Sequence, residues 1–180
     1  MIHLLTILSI LSVGRAETPP TIVRADLVLA VVSDSVVTES DIRLHREMST
    51  LDPSPVPSLQ HNEADAIQNV IDATVIRSLA GRVPVYQPST TDIRARWSLF
   101  QNQWTDPAAY NAFMQIHGLN QDRLYQVLKQ RMIIERVVQR NLGNPSESDK
   151  GSEWNKAYIA WLEQQRSSIR IRKIDVEKDQ

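Results

Sequence analysis

The side chains best suited to proton or metal chemistry near neutral pH are the four histidines, His3, His45, His61 and His117. They stand far apart, and none falls at a metal-ligand spacing. The run His45-Arg46-Glu47-Met48 is not the helix of a zinc protease, which needs a second histidine four residues after the first. Serines are plentiful, but no G-x-S-x-G elbow surrounds any of them, and five glycines form no phosphate-cradling loop. Cysteine is absent, which excludes disulfides, thiol catalysis, thiolate-bound zinc and a lipidated cysteine. These residues give an enzyme little to work with and imply no cofactor and no metal.

Contact chemistry has more to build on. Trp97, Phe100 and Trp104 follow one another at i, i+3 and i+7, and Tyr110, Phe113 and Met114 lie just beyond. Aromatic rings and methionine supply large, adaptable contact area, so these six are the best candidates for a surface that holds other chains. The same spacing also serves a packed core, and it leaves both roles open. Trp154, Tyr158 and Trp161 raise the same choice; there a core role is favoured, because the last helix has to dock in order to deliver its strand.

The positioning elements can be read along the chain. Leu27 to Val32 and Val36 to Thr38 are two short β-forming runs, with Asp34-Ser35 expected as their two-residue turn. Thr38 stands three residues before Asp41, a capping-box spacing that predicts a helix from about Glu39 to Met48. Three prolines in LDPSPVPSL end it and predict an extended linker. A second helix is expected over Glu63 to Leu79, capped by Asn62 and closed by Gly81, with Ile67, Val70, Ile71, Thr74, Val75 and Leu79 on one apolar face. Ser89 and Asp92 repeat the capping-box spacing before a third helix. Asp106-Pro107 reads as cap and first residue of a shorter one, ending near His117-Gly118.

The strongest periodicity runs from Gln121 to Leu142. Leu124, Val127, Leu128, Ile134, Val138 and Leu142 make its stripe, with Asn120 as cap and Gly143 as stop. After a polar connector from Asn144 to Glu153, a helical pattern carries Trp154, Ala157, Tyr158, Trp161 and Leu162. The period then switches to two, with Ile169 and Ile171 alternating with Arg170 and Arg172. A two-stranded hairpin is marginal alone. The C-terminal strand is the natural third partner, although it could instead pair with a second copy of the chain in a strand-swapped dimer. Arg170, Arg172 and Lys173 then read as the solvated, aggregation-resisting face of an edge strand, with anionic lipid or an acidic partner as the other option.

Charge is nearly balanced, 20 basic against 21 acidic residues, so no basic field for nucleic acid exists. Ile2 to Val13 is an apolar run too short to span a bilayer, followed by small residues at Gly14 and Ala16. It reads as an export signal cleaved after Ala16, with an interfacial anchor or a misplaced start as alternatives. The remainder, 17–180, reads as one domain with no stable membrane insertion.

With these elements in this order, the chain resembles the SurA-type periplasmic chaperones. The similarity rests on three islands: AVVSDSVVTESDI, YQVLKQRMIIERVVQRNLG and WLEQQRSSIRIRKID. It spans most of Leu27 to Asp175. The resemblance implies a mostly helical chaperone domain with a small antiparallel sheet built from an N-terminal hairpin and the C-terminal strand. It further implies a periplasmic location in a Gram-negative cell and ATP-independent holding of unfolded outer-membrane or envelope protein chains, with Trp97, Phe100, Trp104, Tyr110, Phe113 and Met114 as the client-binding candidates. Two departures stand out. Ser35 replaces a turn glycine common in the family, and the stretch from Asn144 to Glu153 is far too short for the parvulin-type prolyl isomerase domains that the family inserts there, each about the size of a small domain. No isomerase activity is therefore expected. The alternative reading is a dedicated structural or assembly partner of one envelope protein.

Overall fold

Alternating side chains at the start of the chain make a hairpin. Strands β1 (Val28–Val32) and β2 (Ser35–Thr38) pair antiparallel, burying Ala30, Val32 and Val37. The computed structural model describes residues 26–81, 83–144 and 152–174. The signal-like residues 1–16 and the connector residues 145–151 lie outside the described residues. Val32 pairs with Ser35, so the turn residues are Ser33 and Asp34, one position earlier than the sequence predicts. Ser33 occupies the left-handed region with φ of 51°, whereas Asp34 does not. That sign pattern suits a II′-type turn, in which the first position carries the positive φ. The Ser33 N–H also donates to the Arg170 carbonyl at 2.8 Å, which fixes the tip of the hairpin against the C-terminal segment.

That segment supplies the third strand. Strand β3 (Ile171–Lys173) pairs antiparallel with β1 of the same chain, in register Ala30–Lys173, Val31–Arg172 and Val32–Ile171, so the sheet order is β2-β1-β3. Among the described residues the other regular elements are helices, so the fold is mostly α with one small antiparallel sheet. Both capping boxes form. Asp41 N–H donates to Thr38 Oγ1 at the start of helix α1 (Glu39–Leu51), and Asp92 N–H donates to Ser89 Oγ at the start of α3 (Thr90–Asn102). Asp106 and Asn120 cap α4 (Pro107–Ile116) and α5 (Gln121–Leu142).

Helix α2 (Ala66–Ala80) follows a single 3₁₀ turn, Glu63–Asp65, and it is the Asn62 side chain that caps this turn. The expected one-sided apolar face is too narrow a description. Val70, Ile71, Thr74, Val75, Ile76 and Ala80 are all buried, because α1, α5, α6 (Ser152–Ser167) and the sheet surround the helix. Ile67, by contrast, is 41% exposed at its start. Similarly, Ala157 on α6 faces solvent, while Tyr158 and Leu162 are buried in the core, partly covered Trp154 and Trp161 packing beside them.

The proline-rich stretch is no free linker. Val56, Ser58 and Leu59 are buried between helices. Three prolines remove three N–H groups that would otherwise need partners, and the remaining donors find them locally or on a neighbouring helix. Leu59 and Gln60 close a 3₁₀ turn over Pro57–Leu59, and the Ser58 N–H donates to the Tyr158 hydroxyl on α6 at 3.3 Å.

A polar knot lies where α1, α3 and α5 converge. Asp52, the residue that ends α1, accepts from Arg96 Nε at 2.6 Å and from Arg131 Nε at 2.7 Å, while its backbone carbonyl accepts from Arg131 Nη2 at 2.5 Å. Arg96 also makes a bidentate pair with Glu135, at 2.7 and 2.9 Å. Burial works against the Arg96 charge, but its hydrogen bonds to Glu135 and Asp52 overcome this and push its pKa above the usual arginine value. A second pair, Asp72 with Arg166, joins α2 to α6, Gln68 adding a 2.8 Å bond to Asp72.

Two consequences are measurable by urea unfolding. Asp52→Ala leaves two arginines without their shared buried carboxylate and is expected to destabilise the fold by about 3–5 kcal/mol. Ser33→Gly relieves the left-handed strain at the turn and is expected to stabilise by about 1 kcal/mol.

Candidate functional site

All six aromatic and methionine candidates come together, but as packing rather than as an open platform. Phe100 and Phe113 are 2% and 3% exposed and form a satellite core with Met48, Leu124 and Leu128. Trp97, Trp104, Tyr110 and Met114 pack around it, half-buried. The rings form a continuous chain, with Trp104 5.4 Å from Phe113 and 5.8 Å from Tyr110 between centroids. His117 extends it, 5.0 Å from Phe113, its Nε2 lying 3.0 Å from Glu47 Oε2 but out of line for a directional hydrogen bond. Among the described residues, the most exposed large apolar side chains are ones the sequence pattern did not single out, Leu99 at 72% and Ile116 at 75%.

Two depressions of about 250 and 340 Å³ adjoin the Asp52 knot at Arg96, and three more are not lined by Arg96. Between α3 and α5, Trp97 and Tyr125 stand 6.4 Å apart and tilted by 42°, lining an open notch of about 570 Å³ with Ser98 and Asp122. Of the six sequence candidates, Trp97 lines this notch and Phe100 lines the depression of about 340 Å³ beside Arg96. Where β1 and β3 meet the start of α2, Leu29, Ile67 and Ile174 line a shallow depression of about 620 Å³, edged by Asp65 and Lys173. The third is a smaller cleft of about 200 Å³ enclosed by α1, α2 and α5. It follows the seam between the two hydrophobic clusters: Leu44, Met48 and Val127 belong to the aromatic side, and Leu59, Val70 and Ile134 to the other.

The seam cleft also carries two arginines. Arg77 projects from α2 and its Nη1 donates to Gln130 Oε1 on α5 at 2.9 Å. Burial pushes its pKa below the usual arginine value, with the Asp41 carboxylate offsetting part of that. Arg131 lies deeper, its guanidinium engaged by Asp52. Burial likewise pulls the Arg131 pKa down, against the attraction of Asp52. Neither residue stands out in the sequence. The available signal is Arg131 itself, a cation at i+3 from Leu128 inside the best apolar stripe of the chain.

His45 forms part of the same wall. It is buried, and its Nε2–H donates to the Gln60 carbonyl at 3.0 Å. Among the described residues, no group of three or more His, Cys, Asp or Glu side chains gathers as a metal site, and no helix is long and apolar enough to cross a membrane. No protein family model matches the chain, and comparison with curated proteins gives no match. The geometry is that of several shallow depressions of mixed apolar and polar lining, with two arginines, Arg77 and Arg131, in the cleft between α1, α2 and α5.

Burial depresses the His45 pKa below its ordinary value of 6.5, the Gln60 carbonyl partly opposing this and the Arg131 charge adding to it. A group depressed in this way binds its proton more readily in the unfolded chain. The stability it permits is complete above pH 6.5 and is lost as pH falls below that value. Urea midpoints are expected to drop between about pH 7.5 and 5.5, and His45→Gln, which keeps a donor for Gln60, is expected to reduce the drop.

Proposed function

We propose that this chain holds unfolded polypeptide segments, as an exported, ATP-independent chaperone of the SurA type that lacks an isomerase module. One observation carries the reading: three shallow depressions of mixed apolar and polar lining, besides the two at Arg96, are spread over a single helical body. An extended client presents apolar and aromatic side chains at intervals, and several loose contacts can cover them without selecting one sequence. Tight complementarity at one deep pocket would do the opposite.

Two features add support. The hairpin, the helices and the closing strand occur in the order the resemblance implies, and the two ends of the domain share one sheet. The short stretch between Leu142 and Ser152 leaves no room for a small catalytic domain of about 100 residues, so holding rather than isomerisation is the activity assigned. Clients are outer-membrane or other envelope proteins in transit through the periplasm.

The test is light scattering of a denatured β-barrel protein diluted into buffer with and without the chain from residue 17 onward. Suppressed aggregation at a several-fold molar excess is the expected result. Undiminished scattering would remove the proposal, and a single stoichiometric partner in envelope pull-downs would favour a dedicated assembly role.

A further inference from the structure

Among the described residues, the arginines that are not fully exposed share a rule, and one of them breaks it. Arg96 pairs with Asp52 and Glu135, Arg131 with Asp52, Arg136 with Asp92, and Arg166 with Asp72. Arg77 is half-buried as they are, yet among the described residues it has no carboxylate within 4 Å and its guanidinium makes a single hydrogen bond, to the neutral amide of Gln130. A partly desolvated guanidinium with free donors is costly unless an anion completes it, and its planar fork suits a carboxylate.

The nearest acid is already committed. Asp41 sits on the rim of the cleft, but its Oδ2 accepts from the Thr38 N–H at 2.9 Å and from the Thr38 hydroxyl at 3.0 Å as part of the α1 cap. Swinging it toward Arg77 would open that capping box. Two other polar groups of the cleft are engaged as well. The Thr74 hydroxyl donates to the Val70 carbonyl, and the Arg131 guanidinium is held by Asp52. Arg77 is therefore the cation left for a ligand, and beside it lies apolar wall from Leu44, Met48, Val70 and Val127. Val36 on β2, 52% exposed, continues that wall to the surface.

We propose that the seam cleft recognises the free C-terminal carboxylate of a polypeptide whose last residue is apolar, the carboxylate on Arg77 and the terminal side chain in the cleft. This rests on the holding activity proposed above and names the part of a client that one of its three depressions takes. A volume near 200 Å³ suits one large side chain rather than a long segment, and charge complementarity selects a chain end over the interior of a chain.

The probe is a fluorescein-labelled octapeptide ending in leucine, prepared as the free acid and as the C-terminal amide, with binding to the full chain read by fluorescence anisotropy. The free acid is expected to bind at least tenfold more tightly than the amide. Arg77→Gln is expected to weaken the acid about tenfold and leave the amide unchanged, and Arg77→Lys to keep part of the preference. Equal binding of acid and amide by the native chain overturns this inference while leaving suppression of aggregation, measured separately, to decide the holding activity. Binding of neither peptide overturns the inference too, and loss of both binding and suppression removes both proposals. Displacement of the acid peptide by octanoate at concentrations below that of the peptide itself would assign the cleft to free fatty acids and overturn the polypeptide assignment.

Discussion

A buried carboxylate is expensive unless opposite charge meets it, and Asp52 meets two arginines from two different helices. This constraint organises the helical body. Asp52 closes α1, Arg96 comes from α3 and Arg131 from α5, so the three helices can pack only in positions that bring these side chains within about 3 Å of one another. Glu135, one turn further along α5, balances the second guanidinium charge. The knot is close to neutral as a unit, which lets it sit beside apolar surface. On one side lies the aromatic cluster of Phe100 and Phe113, and on the other the larger core around α2.

Local chemistry is the most legible part of the chain. Both capping boxes, the Asp106-Pro107 helix start and the Gly143 stop depend on neighbours within a few residues, and each forms where the spacing places it. Gly143 takes φ of 73°, a conformation open to glycine at little cost, and its N–H closes on the Gln139 carbonyl at 2.8 Å. The pairing of β3 with β1 is also within reach, because a lone hairpin needs a third strand and the last alternating run supplies one. The turn lies one residue away from its expected place. A turn glycine would have marked the left-handed position, whereas Ser33 adopts it under tertiary restraint from Arg170.

Features set by distant partners stay hidden in the sequence. Prolines in LDPSPVPSL speak correctly against a long helix, but nothing local says that the hydroxyl of Tyr158, 100 residues on, accepts from the Ser58 backbone. The Asp52 knot joins residues 44 and 79 positions apart. The aromatic stripe shows the limit most clearly. Spacing of three and four residues states that a face is apolar and leaves open whether protein or solvent covers it. Phe100 and Phe113 prove to be covered, and of the six candidates Trp97 and Phe100 line depressions. The cleft at Arg77 could not be anticipated, because its interest lies in a missing partner, and a missing partner is visible only once all the others are in place.

The register of the sheet has a further consequence. Val31 lies beside Arg172, so completing the sheet joins positions roughly 140 residues apart. Loops of that size close late, after the helices have found one another. Until α6 has been made, α2 has one uncovered flank, and until Ile171–Lys173 have been made, the hairpin has one unpaired edge. The sheet is finished only when Ile171–Lys173 reach β1, so its closure reports that every element between the hairpin and that strand has been made.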